Sequence, residues 1–370
     1  MIKSFNYYMG LFMVGVFFFS CSAEAANGAG ATKIEEERAE GAVTLSLCTP
    51  NPSKQAVKLF NYLHEIQGKK TLSAAMANVN WNTNEAEWVY KHTGKYPAIN
   101  CFDYMQLYTS PCSWIDYTNI SVVEDWWKAN GIVAAAWHWN VPKVQGSKDY
   151  AFYTPGKGQG QAETDFDVTK ATQEGTYENK IVLADLNQIA YCLQLLQKKK
   201  IPVLWRPLHE AAGTWFWWGA KGAEAYKDLW RLMFNTFKEK GLDNLIWIWT
   251  SEGNDTDWYP GDEYVDMIGR DIYNQKEITA LKFEYDRLTK AYPGKIVILS
   301  ECGGVAKFGE QWNAGAKWTC FMPWYDYERT KSVTDAGFSE TKHNFADREW
   351  WQDAWKQDCV LSRDELPSMK

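Results

Sequence analysis

Histidine is scarce, five in 370 residues, and the eight cysteines form no C-x-x-C pair and no regular spacing. Neither a zinc ribbon nor a disulfide framework is indicated. Proline numbers 12 against 26 glycines with no repeat, which excludes a collagenous or proline-rich stalk. Positive charge is short as well: 39 Lys and Arg against 46 Asp and Glu leave a net charge of −7, whereas a nucleic-acid binder needs a cationic surface to displace counterions. No nucleic-acid partner is expected. No G-x-S-x-G surrounds Ser300, which disfavours an esterase. His209-Glu210 opens like a zinc-binding H-E-x-x-H but runs into Ala211-Ala212-Gly213, without the second ligand. Gly156-Lys157-Gly158-Gln159-Gly160 has the glycine spacing of a phosphate loop but follows no strand and opens no apolar helix. No metal and no cofactor are expected.

What is present in excess is aromatic: 21 Trp, 20 Tyr and 17 Phe, within a chain 46% hydrophobic and 23% charged. Such a chain must bury a large core. The aromatics suit two uses, filling that core or lining a groove with flat platforms, because sugar rings pack their C–H faces on indole.

Residues 1–20 read as a targeting segment. Lys3 gives a positive start, Met9 to Phe19 is apolar but too short to span a bilayer, and Ser20-Cys21 closes it. The Phe18-Phe19-Ser20-Cys21 end resembles a bacterial lipoprotein signal, with Phe18 where Leu is usual, and implies lipidation of Cys21. The alternative is an ordinary signal peptide cut near Ala23-Glu24-Ala25. Residues 21–50, rich in Ala, Gly and Glu without apolar period, read as a flexible tether, and 51–370 as one catalytic domain. Localisation as an outer membrane lipoprotein is expected, with the lipid at Cys21 the one membrane contact, and a monomer. After Cys21 seven cysteines remain. Cys101 with Cys112 is a possible bridge in an exported chain, and most of the others suit buried small hydrophobes.

From residue 54 the chain alternates. An amphipathic helix at 54–67 carries Val57, Phe60, Leu63 and Ile66, and buried strands follow at 71–77, 97–102, 131–137, 201–206, 244–250, 265–273, 295–301 and 317–325. Helical periods lie between them, as in Leu186, Ile189, Leu193, Leu196 and in Tyr226, Leu229, Trp230, Met233, Phe237. Eight strand–helix units predict a single (β/α)8 barrel rather than an open doubly wound sheet. The long interval after the third strand, residues 141–180, has no strand or helix period and scatters Tyr150, Phe152, Tyr153 and Phe166. It should wall the C-terminal face of the barrel. Its Lys143-to-Lys157 stretch, without strong apolar anchors, suggests a mobile rim.

A barrel holds its catalytic residues at the C-terminal ends of its strands. There stand Trp137-His138-Trp139-Asn140 after the third strand, Arg206-Pro207-Leu208-His209-Glu210 at the fourth, Ser251-Glu252 at the fifth, Arg270-Asp271-Ile272-Tyr273 in the sixth, Ser300-Glu301-Cys302-Gly303 at the seventh and Trp324 at the eighth. Glu210 and Glu301 each close an apolar strand that has no structural use for a charge. Paired carboxyls are what glycosidic cleavage requires, one protonated to release the leaving oxygen and the other ionised to attack or to activate water. Arg206 and His209 would set the state of Glu210, and the Tyr273 hydroxyl would hold Glu301.

WRPLHE at 205–210 followed by TWFWWG at 214–219, WHWN at 137–140, DIY at 271–273 and SECG at 300–303 together resemble glycoside hydrolase family 26, a family dominated by β-mannanases. The resemblance runs from about residue 54 to 356. It implies a (β/α)8 barrel and cleavage with retained configuration, with Glu210 as acid/base, Glu301 as nucleophile and Tyr273 hydrogen-bonded to it. It further implies substrate contacts from His138, Arg206, His209, Trp215, Asp271 and Trp324, and β-mannan as substrate; Trp139, in the aromatic WHWN segment, is read as a further substrate contact. Mixed-linkage β-glucan and β-1,3-xylan are alternatives within the family, as is exo release of mannobiose. A surface glycan-binding protein is the non-enzymatic one. SAAM at 73–76 departs from the family's Ser-Gly-Gln-His at the outer minus subsites. Trp215, Trp324 and Trp139 are expected partly exposed in the cleft, Trp230 and Trp247 in the core.

Overall fold

Runs of Val, Ile, Leu, Ala and Trp buried on both faces form eight parallel strands, as near-continuous apolar segments do in a sheet covered by helices. They are β1 Thr71–Met76, β2 Ile99–Asp103, β3 Ile132–Trp137, β4 Val203–Pro207, β5 Leu245–Ser251, β6 Met267–Tyr273, β7 Ile296–Gly303 and β8 Cys320–Pro323. The structure, a computed structural model, describes residues 46–78, 81–107 and 115–370. The expected signal segment, Cys21, most of the expected tether and Cys112 lie outside the described residues. Each strand pairs in parallel with the next, and β1 returns to β8 with Leu72 opposite Cys320 and Ser73 opposite Phe321. The sheet is a closed (β/α)8 barrel, as the alternation predicts.

Eight helices surround it: α1 Lys54–Ile66, α2 Asn84–Thr93, α3 Ser121–Lys128, α4 Tyr177–Lys198, α5 Ala223–Glu239, α6 Ile278–Ala291, α7 Phe308–Asn313 and α8 Arg348–Trp355. On α5 the buried residues Tyr226, Leu229, Trp230, Met233 and Phe237 make one face. Trp230 and Phe237 meet the ring of Trp247 on β5 at 5.8 and 5.7 Å, so both tryptophans expected in the core are there. On α1, Ser53 caps the first turn by accepting the Ala56 N–H, and Ala56, Leu59, Phe60, Leu63 and Ile66 face inward. Val57, placed on the apolar face by its spacing, is exposed.

The alternation fails once. Between β5 and β6 there are only the 3-10 turns Thr256–Trp258 and Asp262–Tyr264, and α1 packs against β5. The segment leading into α1 is tied to the N-terminal ends of these strands. The Thr49 hydroxyl donates to the Leu245 carbonyl at 2.8 Å, and the Cys48 N–H and thiol donate to Asp266 at 2.7 and 3.2 Å. Residues 48–53 therefore lie on the face opposite the C-terminal mouth.

Residues 141–180 are more ordered than their composition suggests. Val141–Pro142 and Tyr150–Ala151 pair antiparallel, Val168–Ala171 forms a helical turn capped by Asp167, and α4 already begins at Tyr177 behind its Thr176 cap. The Lys143-to-Lys157 stretch does carry an apolar anchor, the buried Phe152, and its backbone is bonded to the loop after β4: Thr154 N–H to Trp215 O at 2.8 Å and Trp217 N–H to Phe152 O at 3.0 Å. The expectation of a loosely held rim is corrected on that ground.

Candidate active site

The chain leaves β4 through a turn that few side chains favour. Leu208, Glu210 and Thr214 have φ of 50°, 53° and 60°, the left-handed region in which a Cβ crowds the backbone, at a cost of roughly 1–2 kcal/mol each. The TWFWWG run holds this turn. Trp218 Nε1 donates to His209 O at 2.8 Å and Trp217 Nε1 to Trp139 O at 2.7 Å, while Gly219 has no Cβ because one would fall on the Ala211 carbonyl. Trp217 and Trp218 are buried. Only Trp215 of the three reaches the cleft, half-buried, and its Nε1 donates to Glu210 Oε2 at 2.9 Å. Its ring lies over Gly213, where a Cβ would overlap it. Gly213→Ala should displace that ring, cost about 1–2 kcal/mol of transition-state binding, roughly five- to thirty-fold in kcat/KM, and leave the melting temperature nearly unchanged. Steady-state kinetics beside a thermal melt checks this.

Across the mouth, β7 carries one extra residue against both neighbours. Arg270 pairs with Leu299 but Asp271 pairs with Glu301, and on the other side Phe321 pairs with Leu299 but Pro323 with Cys302. Such a bulge re-aims a side chain, and here it sets Glu301 opposite Asp271. Gly269 makes room for it, since a Cβ there would strike Ser300 Oγ, which instead donates to Asp271 Oδ1 at 2.6 Å. Arg206 forks between strands: Nη1 donates to Asp271 Oδ2 at 3.0 Å and to Thr250 Oγ1 at 3.2 Å, and Nη2 donates to Glu301 Oε1. Tyr273 OH donates to Glu301 Oε2 at 2.7 Å. Both oxygens of Glu301 are thus held, and Arg206 divides its charge between two carboxylates. Burial raises the Glu301 carboxyl more than Arg206 lowers it, up to about 7, with Asp271 raising it and His138 and Tyr273 lowering it.

Behind these groups runs a chain of rings. His138 Nδ1 meets Asp103 Oδ2 at 2.5 Å, Asp103 also accepts the His138 N–H at 3.1 Å, and His138 Nε2 faces His209 Nε2 at 3.1 Å. With His138 Nδ1 donating to Asp103, the one proton between the two facing Nε2 atoms makes a hydrogen bond from one ring to the other. Burial, then Arg206 and His138, hold the His209 pKa well below its ordinary value, so that ring is uncharged. Asp103 is a site residue that sequence reasoning missed. A charge closing an apolar strand, the signal that marks Glu301, marks it equally. Tyr153, from the insertion, bridges to Phe216, and burial together with the charges of Glu210 and Glu301 pushes its hydroxyl up. The insertion thus walls the site, as expected.

Of the ten residues singled out, Glu210, Glu301, His138, Arg206, His209, Trp215, Asp271 and Tyr273 come together here. Two tryptophans need correcting. Trp139 is 0% exposed, stacked on Trp137 at 4.0 Å with Nε1 donating to Asp185 Oδ2 at 2.8 Å, so it belongs to the scaffold and not to the cleft. Trp324, expected partly exposed, is 6% exposed, stacked on Tyr325 at 5.0 Å and 5.8 Å from the His138 ring, so it is buried beside the site to the same degree as His138 and Asp271. Trp139→Ala should cost roughly 3–5 kcal/mol of folding free energy, and Trp215→Ala should impair kinetics with little loss of stability. Denaturant unfolding of the two variants distinguishes these outcomes.

Glu210 itself sits among acids. One oxygen each from Glu210, Glu252 and Asp271 lie within 4.8 Å of one another, the one cluster among the described residues with this metal-ligand pattern. Asp271 is already bound to Arg206 and Ser300, and Glu210 to Trp215. The cluster therefore acts on protonation: burial first, then Glu252, Asp271 and Glu301, raise the Glu210 carboxyl well above its ordinary value against Arg206.

A parallel barrel with one carboxyl raised by burial and neighbouring acids and a second gripped by Arg206 and Tyr273 at its C-terminal mouth is the arrangement of a glycosidase. The chain belongs to glycosyl hydrolase family 26, whose sequence model matches residues 48–348. It is 36% identical over 300 residues to a mannan endo-1,4-beta-mannosidase of Thermothelomyces thermophilus, covering 78% of this chain and 59% of that one. Among solved structures it is 37% identical to the GH26 domain of an endo-beta-mannanase/endo-beta-glucanase from Prevotella bryantii, with a TM-score of 0.76, covering 87% of this chain and 99% of that domain. It is 35% identical to a beta-mannanase from a symbiotic protist of the termite Reticulitermes speratus, complexed with gluco-manno-oligosaccharide, with a TM-score of 0.75, covering 88% and 98%. The chain spans between 51% and 59% of the length of the first curated relatives it matches.

Proposed function

We propose that this chain is a retaining endo-acting hydrolase of β-1,4-mannosidic bonds in mannan, galactomannan or glucomannan. The observation that carries the reading is Glu301, gripped by Arg206 and Tyr273, facing a mouth it shares with the raised carboxyl of Glu210. The substrate rests on the relatives named mannan endo-1,4-beta-mannosidase and on the neighbour complexed with gluco-manno-oligosaccharide. In this reading the Glu301 carboxylate attacks the anomeric carbon, the bond from that carbon to the leaving oxygen breaks, and its electron pair takes the Glu210 proton. Glu210, now ionised, removes a proton from water whose oxygen attacks the same carbon, and Glu301 departs with the electrons of the ester bond. Trp215 positions Glu210, and His138, His209 and Asp271 shape the subsite floor. Release of reducing sugar from mannan, mixed-linkage glucan and β-1,3-xylan, side by side, tests the substrate. Mannan should be fastest, with a ladder of mixed lengths and a rapid fall in viscosity. Mannobiose alone from the first minutes would mean exo action, and a faster glucan or xylan would replace the substrate.

The pH profile has a definite sign. Activity needs Glu301 ionised, so it rises with pH through that group's value of about 7, and needs Glu210 protonated, so it falls at higher pH. The maximum of kcat/KM should lie near or above neutrality. A maximum near the ordinary carboxylate range, about pH 4, would contradict the electrostatics.

The lipoprotein reading, with an outer membrane location, a lipid at Cys21 and a monomeric barrel, is part of this proposal. It is supported by the Phe18-Phe19-Ser20-Cys21 signal. Labelled palmitate should enter the wild type and not Cys21→Ser, and light scattering should give the monomer mass.

A further inference from the structure

We propose that Glu252 is a positioning residue for the proton transfer, its carboxyl set beside Glu210 by the frame at the end of β5 so that the proton stays on Glu210. This rests on the reading of Glu210 as acid/base. The turn that carries Glu252 is braced from three sides. Ser251 Oγ donates to Asp255 Oδ1 at 2.7 Å and the Glu252 N–H donates to Asp255 Oδ2 at 2.6 Å. Arg287 Nη2 donates to Ser251 Oγ at 3.2 Å and to Glu284 Oε2 at 2.9 Å, and Arg270 Nε donates to that same oxygen at 2.8 Å. Arg270 Nη1 also donates to the carbonyls of Ser251 at 3.3 Å and Asp271 at 2.7 Å. Glu252 Oε1 is left with an ion contact to Arg270 at 3.6 Å and no hydrogen-bond partner among the described residues. A buried carboxyl oxygen left with one long ion contact is costly unless that carboxyl acts on a neighbour. The neighbours in reach are Glu210 and Asp271, the three oxygens lying within 4.8 Å.

The groups facing Glu210 can be separated by sign. Glu252 from β5, Asp271 from β6 and Glu301 from β7 oppose its ionisation. Arg206 from β4 and the Trp215 N–H favour it, His209 is uncharged, and the hydroxyls of Tyr153 and Tyr273 are pushed up by burial first and then by the charges of Glu210 and Glu301. Asp271 and Glu301 are both discharged in part by Arg206, whereas Glu252 has only the more distant Arg270. Burial raises the Glu252 carboxyl to about 8 against Arg270, with Asp271, Asp255 and Glu301 raising it further, and the charge that appears on Glu252 opposes loss of the proton on Glu210.

The test is kcat/KM against pH for the full-length protein, Glu252→Gln and Glu252→Asp, on the polysaccharide it cleaves fastest. With the charge gone Glu210 gives up its proton more readily, so the alkaline limb moves to lower pH. Above the limb Glu252→Gln should lose roughly ten-fold or more, with the plateau kept within about three-fold. Glu252→Asp, which keeps the charge one methylene further back, should lie between. If Glu252→Gln fails to fold, Glu252→Asp carries the test, because its limb must move in the same direction. An unmoved limb in the variant that folds, or a rise in KM uniform across pH, overturns the role. Glu210→Ala separates this from the reading beneath it. An alkaline limb that survives Glu210→Ala sinks the acid/base assignment, whereas one that disappears there but stays in place in the Glu252 variants sinks only the role of Glu252.

Discussion

Glu301→Ala should abolish turnover on every substrate, by on the order of 10⁴-fold or more, while Glu210→Ala should divide substrates by leaving group. The difference follows from the role proposed for each carboxyl. Without Glu301 no ester to the sugar can form, and no leaving group, however good, restores the missing bond. Without Glu210 the first step still proceeds on an activated aryl glycoside, whose phenolate needs little protonation, and the glycosyl-enzyme then accumulates because water has lost its base. A burst of phenolate followed by a slow phase is the expected trace for Glu210→Ala, and a flat line for Glu301→Ala. Azide, a nucleophile that needs no base, should speed the slow phase and give a glycosyl azide of retained configuration. Equal and mild losses in both variants would remove the assignment.

Arg206→Met should be the most damaging change at a residue that takes no part in bond making. Its guanidinium is buried and joins Asp271 and Glu301, so its removal leaves two carboxylates without their cation, a break that typically costs about 3–5 kcal/mol. For a barrel of this size that is a fall of roughly 4–8 °C in melting temperature. The surviving protein should also lose activity in a pH-dependent way. Arg206 lowers the Glu301 carboxyl, so without it Glu301 stays protonated to higher pH and the acid limb of kcat/KM moves upward. Arg206→Lys keeps the charge but cannot fork to two strands. It should recover stability more than activity. Calorimetry and pH–rate profiles on the two variants check this, and an Arg206→Met enzyme with an unmoved acid limb would show that the pairing does not govern Glu301.

The barrel was legible because parallel strands buried on both faces read as apolar runs, and because α4 and α5 bury residues at helical spacing. The β5–β6 crossover was not, since its lack of a helix is answered by α1, some two hundred residues away in sequence. Glu210, Glu301, Arg206 and Tyr273 were legible as polar groups ending apolar strands. Asp103 escaped although it obeys the same rule, because its purpose appears only when β2 and β3 stand side by side and put it against His138. Trp139 and Trp215 occupy similar aromatic surroundings in the sequence. Which of them meets a sugar is decided by Asp185 on α4 and by Glu210, contacts without periodicity. The anchoring of residues 141–180 was hidden for the same reason, since its backbone bonds run to 214–217 and its rings Phe152 and Phe166 meet Phe216 and Trp217, contacts that follow no period. The bulge that turns Glu301 toward Asp271 leaves no mark in composition.

The most direct measurement is trapping of the covalent intermediate. A 2-deoxy-2-fluoro mannosyl fluoride slows both steps by withdrawing electrons from an oxocarbenium-like transition state, yet keeps a good leaving group, so the glycosyl-enzyme builds up. Intact mass followed by peptide mapping should place one 2-fluoromannosyl group on Glu301, with none in Glu301→Ala and regain of activity when an acceptor sugar discharges it. An adduct on Glu210 or Glu252, or no adduct with a product of inverted configuration, would contradict the account.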